Sequence, residues 1–191
     1  MNIFALSRLV KECAEMHCDQ HVIKMILESA QLLCTAHRVL DGFEKIVETG
    51  KMTSTGKMRK IKRWIHPDEE KETLLYKSCH VKHPCGVWVQ ASKENYDWLF
   101  NLFVELCKEY TFRYKKTHAS ESLTNVLSVS PLNIPTDVGL TEFAQAMPDD
   151  VKSVDSIEAY KNYYRVYKIH IKNGPLRWTG RNTPSFISDL V

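Results

Sequence analysis

The chain has 191 residues, of which 43% are hydrophobic and 26% charged, with seven glycines and seven prolines. That composition suits one globular domain large enough to bury a core, and it excludes a disordered or low-complexity chain. The formal net charge of +3 is compatible with a nucleic-acid partner without arguing for one.

No apolar run approaches the roughly 20 residues of a transmembrane helix, so no membrane partner is expected. The opening Met-Asn-Ile-Phe-Ala-Leu-Ser-Arg lacks the charged start, long apolar stretch and cleavage site of a signal peptide. The six cysteines include no CxxC pair. Cys13, Cys18 and Cys34 lie among apolar neighbours, as buried reduced thiols of a cytoplasmic protein do.

Asn2 to Leu6 reads as a short strand or an extended arm. Glu12 to Leu40, free of Gly and Pro and closed by Asp41-Gly42, predicts one long helix. Residues 44–66 contain Gly50, Gly56 and a Ser/Thr patch, and read as a mobile basic excursion from the core. Pro67 followed by Asp68, Glu69 and Glu70 predicts a short helix, because acids favour the first turn. His83-Pro84 opens a second long helix over Cys85 to Lys116, with Trp88, Tyr96, Leu99, Phe103, Leu106 and Tyr110 at helical spacing. Thr117 to Val138 is loop-rich, and a short segment from Phe143 to Met147 ends at Pro148. Ser156 to Ile171 predicts a third helix with Ser156 as N-cap. The tail beyond Gly174-Pro175 is irregular and basic. The expected fold is mainly α: a compact single-domain helical fold built on a long buried first helix.

On that helix, His17, His21, Lys24, Glu28, Gln31 and Thr35 fall within an arc of roughly 80°. From Val22 onward the remaining positions are mainly Val, Ile, Met, Leu, Ala and Cys. A surface helix shows the reverse, a limited apolar stripe and a broad polar face. The pattern is therefore a narrow polar seam on a buried helix, and buried ionisable groups need partners. The seam is either a satisfied polar strip or the lining of an active site, since it holds the acid, base and amine groups that catalysis uses. Glu28 is the best single candidate: as an acid it protonates a leaving group, as a carboxylate it stabilises an oxocarbenium ion. His17 and His21, four residues apart, also have the spacing of a helical metal pair, without the adjacent Glu of HExxH.

Other stretches carry chemistry less specifically. Cys79-His80-Val81-Lys82-His83-Pro84-Cys85 offers four soft ligands in a spacing that matches no zinc finger, so a loop with one or two buried side chains is the simpler reading. His83 then anchors the next helix and points toward the site. Trp88, Ser92 and Asn95 share one face of the second helix and suit either a structural polar pair or contacts to a base. Lys57, Arg59, Lys60, Lys62 and Arg63, beside Trp64, form the densest cationic cluster and suit phosphate contacts or a solvated hairpin. Tyr160 and Tyr164 in the third helix, with Arg177, Trp178 and Arg181 in the tail, interleave aromatics with cations, as base-stacking surfaces do.

Asp19-Gln20-His21 followed by Glu28 resembles the first helix of the phage pyrimidine-dimer DNA glycosylases, the endonuclease V-like enzymes that cut UV-damaged DNA. The second helix carrying Val104-Glu105-Leu106-Cys107 and the Tyr160-Lys-Asn-Tyr-Tyr164 segment are similar too. The HCDxHxxKM, HPC and FAQAMPD stretches also resemble phage proteins of no assigned activity. The resemblance implies a nearly all-helical fold and a catalytic glutamate at Glu28. In that family the amine of an N-terminal threonine attacks the sugar C1′. Here residue 2 is Asn, and Leu27, Ala30 and Gln31 stand where the family carries arginines. Lys24, one turn from Glu28, or the N-terminal amine is then the possible nucleophile, and strand cutting is open.

The expected function is cleavage of the N-glycosidic bond of a damaged or modified pyrimidine in DNA, with or without lyase activity. Glu28, Lys24, His21 and His17 would act at the reacting centre. Gln31, His83, Trp88, Ser92, Asn95, Tyr160, Tyr164, Arg177, Trp178 and Arg181 would contact substrate, and the 57–63 cations would contact DNA phosphate. This reading uses no metal and no cofactor. Two others stand beside it: a metal-dependent enzyme on nucleotides through His17 and His21, and a non-catalytic DNA-binding phage protein.

Overall fold

The computed structural model describes residues 1–52, 54–169 and 175–188. Two helices of 22 residues form its centre: α2 (Asp19–Leu40) packs along α5 (Lys93–Tyr114). Helix α1 (Val10–Met16) packs on α5, and α4 (Pro84–Ala91) packs on both α2 and α5. From Leu32 to Arg38 every residue of α2 is buried, in keeping with the apolar pattern there. The fold is mainly helical, as expected. Among the described residues no helix is long and apolar enough to cross a membrane.

The predicted first helix is broken. His17 and Cys18 are extended (ψ 133° and 162°), so α1 ends at Met16 and α2 starts at Asp19. A break frees carbonyls, which need donors. The fully buried Arg113 guanidinium supplies them, donating to the Glu15 and His17 carbonyls at 3.0 and 2.9 Å and to Asp19 and Glu109 at 2.9 and 2.7 Å. The tail closes the same break: the Asp19 N–H donates to the Arg177 carbonyl (2.8 Å) and the Trp178 indole N–H to the Met16 carbonyl (2.9 Å).

The predicted second helix also divides, into α4 and α5, at Ser92 (φ −156°, ψ 156°). Ser92 Oγ accepts the Asn95 N–H (3.0 Å), which caps α5, and donates to the Gly139 carbonyl (2.8 Å). A capping serine supplies the acceptor that a new N-terminus needs.

Between α2 and α4 lies a hairpin, β1 (Phe43–Met52) antiparallel to β2 (Met58–Ile65), in register from Phe43 opposite Ile65 to Glu48 opposite Lys60. This is the basic excursion. Gly42 makes the turn into it: a Cβ there would lie 2.3 Å from the Arg38 carbonyl oxygen and 2.5 Å from that of Ile65. Helix α3 (Glu69–Leu74) follows, capped by Asp68, whose carboxylate accepts the Lys71 N–H at 3.0 Å. Past α5, a 3-10 turn (Ala119–Leu123) runs into the short helix α6 (Thr124–Leu127). Helix α7 (Ser156–Tyr163) is capped by Asp155 rather than Ser156 and passes into a π turn (Tyr164–Lys168). The predicted end of that helix, at Ile171, lies outside the described residues. Helix α8 (Ser185–Ser188) ends the described chain.

Residues 2–6 form no strand. They make a buried arm, with Ile3, Ala5 and Leu6 fully enclosed and Phe4 in the left-handed region (φ 42°).

Candidate functional site

The arm explains the polar seam of α2, because its residues meet the seam one after another. Glu28 Oε2 accepts the Asn2 backbone N–H at 2.7 Å and lies 3.9 Å from the Met1 α-amino group. Glu28 Oε1 lies 3.4 Å from Lys24 Nζ. Two steps further along the arm, the Phe4 ring stacks on His21, with centroids 4.5 Å apart and planes 18° from parallel. Asn2 is fastened in turn: its Oδ1 accepts the Ile3 N–H (2.8 Å) and its Nδ2 donates to the Ala146 carbonyl (3.0 Å). One carboxylate, two primary amines and an N–H thus converge, on parts of the chain from its first residue to Ala146.

The carboxylate is recessed but reachable, at 9% exposure. The rim of α2 beside it is apolar and open, with Ile23 and Leu27 43% and 41% exposed. Lys24 stands in solvent (side chain 62% exposed) and Gln31 is half-buried on the same flank. His83 joins the group electrostatically. Partial burial lowers its pKa first, and the Met1 α-amino group and His80 push the same way against Glu28. Its Nδ1 accepts the Cys85 N–H at 3.2 Å, so His83 is also the cap of α4. Cys79 and Cys85 feel the same amine and carboxylate, and burial raises both thiols, Cys85 to about 11, so neither is a thiolate at neutral pH.

The histidines predicted with Glu28 belong to a different group. His17 sits in the break rather than on the stripe, and its Nδ1–H donates to the Cys13 carbonyl at 2.7 Å. Burial lowers its pKa to about 4 against that hydrogen bond. His21 hydrogen-bonds the Tyr164 hydroxyl, and burial, reinforced by His17, Lys168 and Lys24, takes it down to about 3. Both are neutral at pH 7 and packed against Phe4. His17 lies outside α2, and the group of three potential metal ligands found among the described residues includes neither histidine.

Several predicted substrate contacts are spent on structure. Asn95 donates to the Trp88 carbonyl and to Thr141 Oγ1 (2.8 and 2.9 Å), and Ser92 caps α5. Trp88 packs on Trp98 and Phe143. The Tyr160 hydroxyl donates to the Ala144 carbonyl (2.6 Å), which anchors the segment that holds Asn2. Tyr164 serves His21. Arg181 binds both Glu109 oxygens (3.1 and 2.9 Å) and Glu15, and Trp178 is buried at the α1–α2 break, so the tail is a clamp at that break rather than part of the Glu28 group. Arg177 is exposed on the same clamp.

The hairpin cations divide by strand alternation. Lys60 and Lys62 face Glu48 and Glu44 across the strands, at 3.7 and 3.1 Å. Arg59 and Arg63 fall on the other face with Lys45, and among the described residues these three have no carboxylate partner. Lys57 lies at the exposed turn end.

Sequence reasoning named the N-terminal amine as a possible nucleophile but missed Asn2, whose N–H meets the same carboxylate. The signal was Asn2 itself, a polar residue ahead of the apolar Ile3-Phe4-Ala5-Leu6 run. No known protein family, curated protein or solved structure matches the chain.

Proposed function

We propose that the chain is a DNA glycosylase-type enzyme acting at the N-glycosidic bond of a damaged or modified pyrimidine, with Glu28 as its catalytic carboxylate. The observation that carries this reading is the convergence of the recessed Glu28 carboxylate with two primary amines, the Met1 α-amino group at 3.9 Å and Lys24 Nζ at 3.4 Å. A carboxylate beside an amine suits attack at a sugar carbon. The amine lone pair forms a bond to C1′, and the electron pair of the glycosidic bond leaves with the base, which takes a proton. Loss of the amine's protons and opening of the sugar ring give an imine, the intermediate from which strand cleavage proceeds. With water in place of the amine, Glu28 stabilises the sugar cation and the product is an abasic site.

The α-amine is favoured over Lys24. It is held at the recessed carboxylate, whereas Lys24 is mostly in solvent. The apolar rim of Ile23 and Leu27 suits an unstacked base, and the carboxylate-free hairpin face with Lys45, Arg59 and Arg63 suits the phosphate backbone.

The test is incubation with UV-irradiated, undamaged and abasic duplexes, with and without borohydride. Base loss, or a trapped adduct absent in Glu28→Gln, supports the reading. An adduct that survives Lys24→Ala but disappears when residues are appended before Met1 identifies the α-amine. Duplex binding with no reaction on any substrate leaves the non-catalytic DNA-binding protein instead.

A further inference from the structure

At the opposite end of α2, His37, Asp41 and His66 bring one potential ligand atom each to within 4.8 Å of one another. His37 and Asp41 are one helical turn apart, and His66 returns to them at the end of β2. His37 is fully enclosed and His66 is 5% exposed. One ring nitrogen on each, His37 Nδ1 and His66 Nε2, is buried with no hydrogen-bond partner among the described residues. Two such atoms beside one carboxylate call for an explanation, because buried polar atoms are rarely left unmatched.

The hydrogen bonds of Tyr96 favour the tautomer in which His37 Nε2 is the donor. The Tyr96 hydroxyl donates its only proton to the Leu127 carbonyl (2.9 Å). The 2.9 Å contact between Tyr96 and His37 Nε2 must then use the imidazole proton, so Nε2 is the donor and Nδ1 carries a bare lone pair. That is the form in which histidine ligates a metal, with its other N–H held by a hydrogen-bonded neighbour. The Val129 backbone carbonyl also reaches the ring, where it favours the protonated imidazole. Among the described residues Asp41 Oδ2 accepts only the Leu132 N–H (2.9 Å), which leaves a second lone pair. Asp41 is half-exposed, so the cluster is open to solvent on its carboxylate side.

We infer that His37, Asp41 and His66 form a binding site for a divalent transition-metal ion, zinc by donor preference, that joins the end of α2 to the base of the hairpin. Two imidazoles and one carboxylate are a usual zinc set, with water in the fourth position. An ion bonded to each at about 2.1 Å draws the ligand atoms to about 3.4 Å apart in a tetrahedral site, a small contraction from the spread present. The contact given up is at His66, whose Nδ1 accepts the Asp68 N–H at 3.1 Å. With an ion on Nε2 the ring proton moves to Nδ1, and the exposed Asp68 amide turns to water. The site stands nine residues, about 14 Å along the helix axis, beyond Glu28, and is independent of the glycosylase reading. Its ligands belong to segments that Gly42 and the Asp41–Asn133 contacts already bring together, so the ion would fasten the hairpin, α2 and the loop at 132–133 as one unit.

The experiment uses the full chain, purified without metal-affinity resin, stripped with chelator and titrated with Zn2+ and separately with Co2+. The expected result is one ion per chain, a Co2+ visible spectrum of tetrahedral type, a rise in Tm reversed by chelator, and a shift of the Asp68 amide resonance. His66→Gln and Asp41→Asn should abolish all four, whereas His83→Gln should leave them intact. Asp41→Asn keeps an acceptor for the 132–133 loop, and circular dichroism of the metal-free variants checks that they fold. Nitrogen-15 shifts of the histidine rings, which place the ion on His37 Nδ1 without any substitution, give a second reading. No bound ion, or binding unchanged in both ligand variants, would overturn the inference.

Discussion

Arg38 and Glu28 are both ionisable, both buried, and roughly 15 Å apart on the same helix, yet their surroundings are opposite. Arg38 is fully enclosed, and its guanidinium is matched on every side: Nε donates to the Tyr76 carbonyl (2.7 Å), Nη1 to the Trp64 carbonyl (3.2 Å) and the Glu72 carboxylate, Nη2 to the Glu72 and Leu75 carbonyls (both 2.9 Å). Burial works against the Glu72 charge, but hydrogen bonds from Lys77, the His66 N–H and Arg38 prevail and bring its pKa down to about 2. This is a closed network that holds β2, α3 and the chain after it against α2. Glu28 instead meets one N–H and two amines at a rim with apolar, solvent-exposed neighbours. A network with every donor used supports a fold; a carboxylate with reactive groups and open space beside it is equipped for chemistry.

That contrast breaks first, and hardest, at Arg38. Arg38→Ala leaves four carbonyls without their donor and removes one of the three donors to the Glu72 carboxylate, and should cost about 3–5 kcal/mol in denaturant unfolding. Glu28→Gln should do the reverse. The amide oxygen still accepts the Asn2 N–H, so the melting curve should hardly move, while base excision falls by about 10²–10⁴-fold. A large stability loss from Glu28→Gln would erase the distinction between the two groups.

The histidines sharpen the comparison through pH. His17 and His21 are held neutral by burial, with pKa values near 4 and 3 against 6.5 when unfolded. The charged groups facing them are Arg113 and Glu109 at His17, and Lys168 and Lys24 at His21. A depressed folded pKa means that the unfolded chain binds more protons. Their stabilisation is therefore complete above pH 6.5 and declines as pH falls toward 4, by up to about 1.4 kcal/mol per pH unit for each ring. Urea midpoints from pH 7 to 4 should fall steeply in the native chain, and less in His21→Phe. The smallest effect is on the hairpin. Arg59→Gln and Arg63→Gln should each reduce the slope of log binding constant against log salt by about 0.9, with no change in Tm.

The polar stripe of α2, the burial of Cys13, Cys18 and Cys34 and the start of α3 were legible because they depend on residues a few positions apart. The helix breaks were not. Periodicity continues across His17–Cys18 and across Ser92, and the groups that satisfy the broken backbone lie far off: Arg113 is 96 residues from the His17 carbonyl it binds, and Gly139 is 47 from Ser92. Arg181 and Trp178 looked like a nucleic-acid surface because composition does not show that Glu109 and the Met16 carbonyl already occupy them.

From the sequence alone came a mainly helical domain, a helix with one narrow ionisable stripe, and a basic segment beside it. Those follow from side-chain spacing and capping, which act over one or two turns. Tertiary structure alone decided what covers the stripe. Burying Ile3, Phe4 and Leu6 draws the arm onto α2, and only then does the Met1 amine reach Glu28. It likewise decided that His66, returning at the end of a hairpin, meets His37 and Asp41. Apolar burial and long-range hydrogen bonding set such meetings, and neither leaves a periodic mark in the chain.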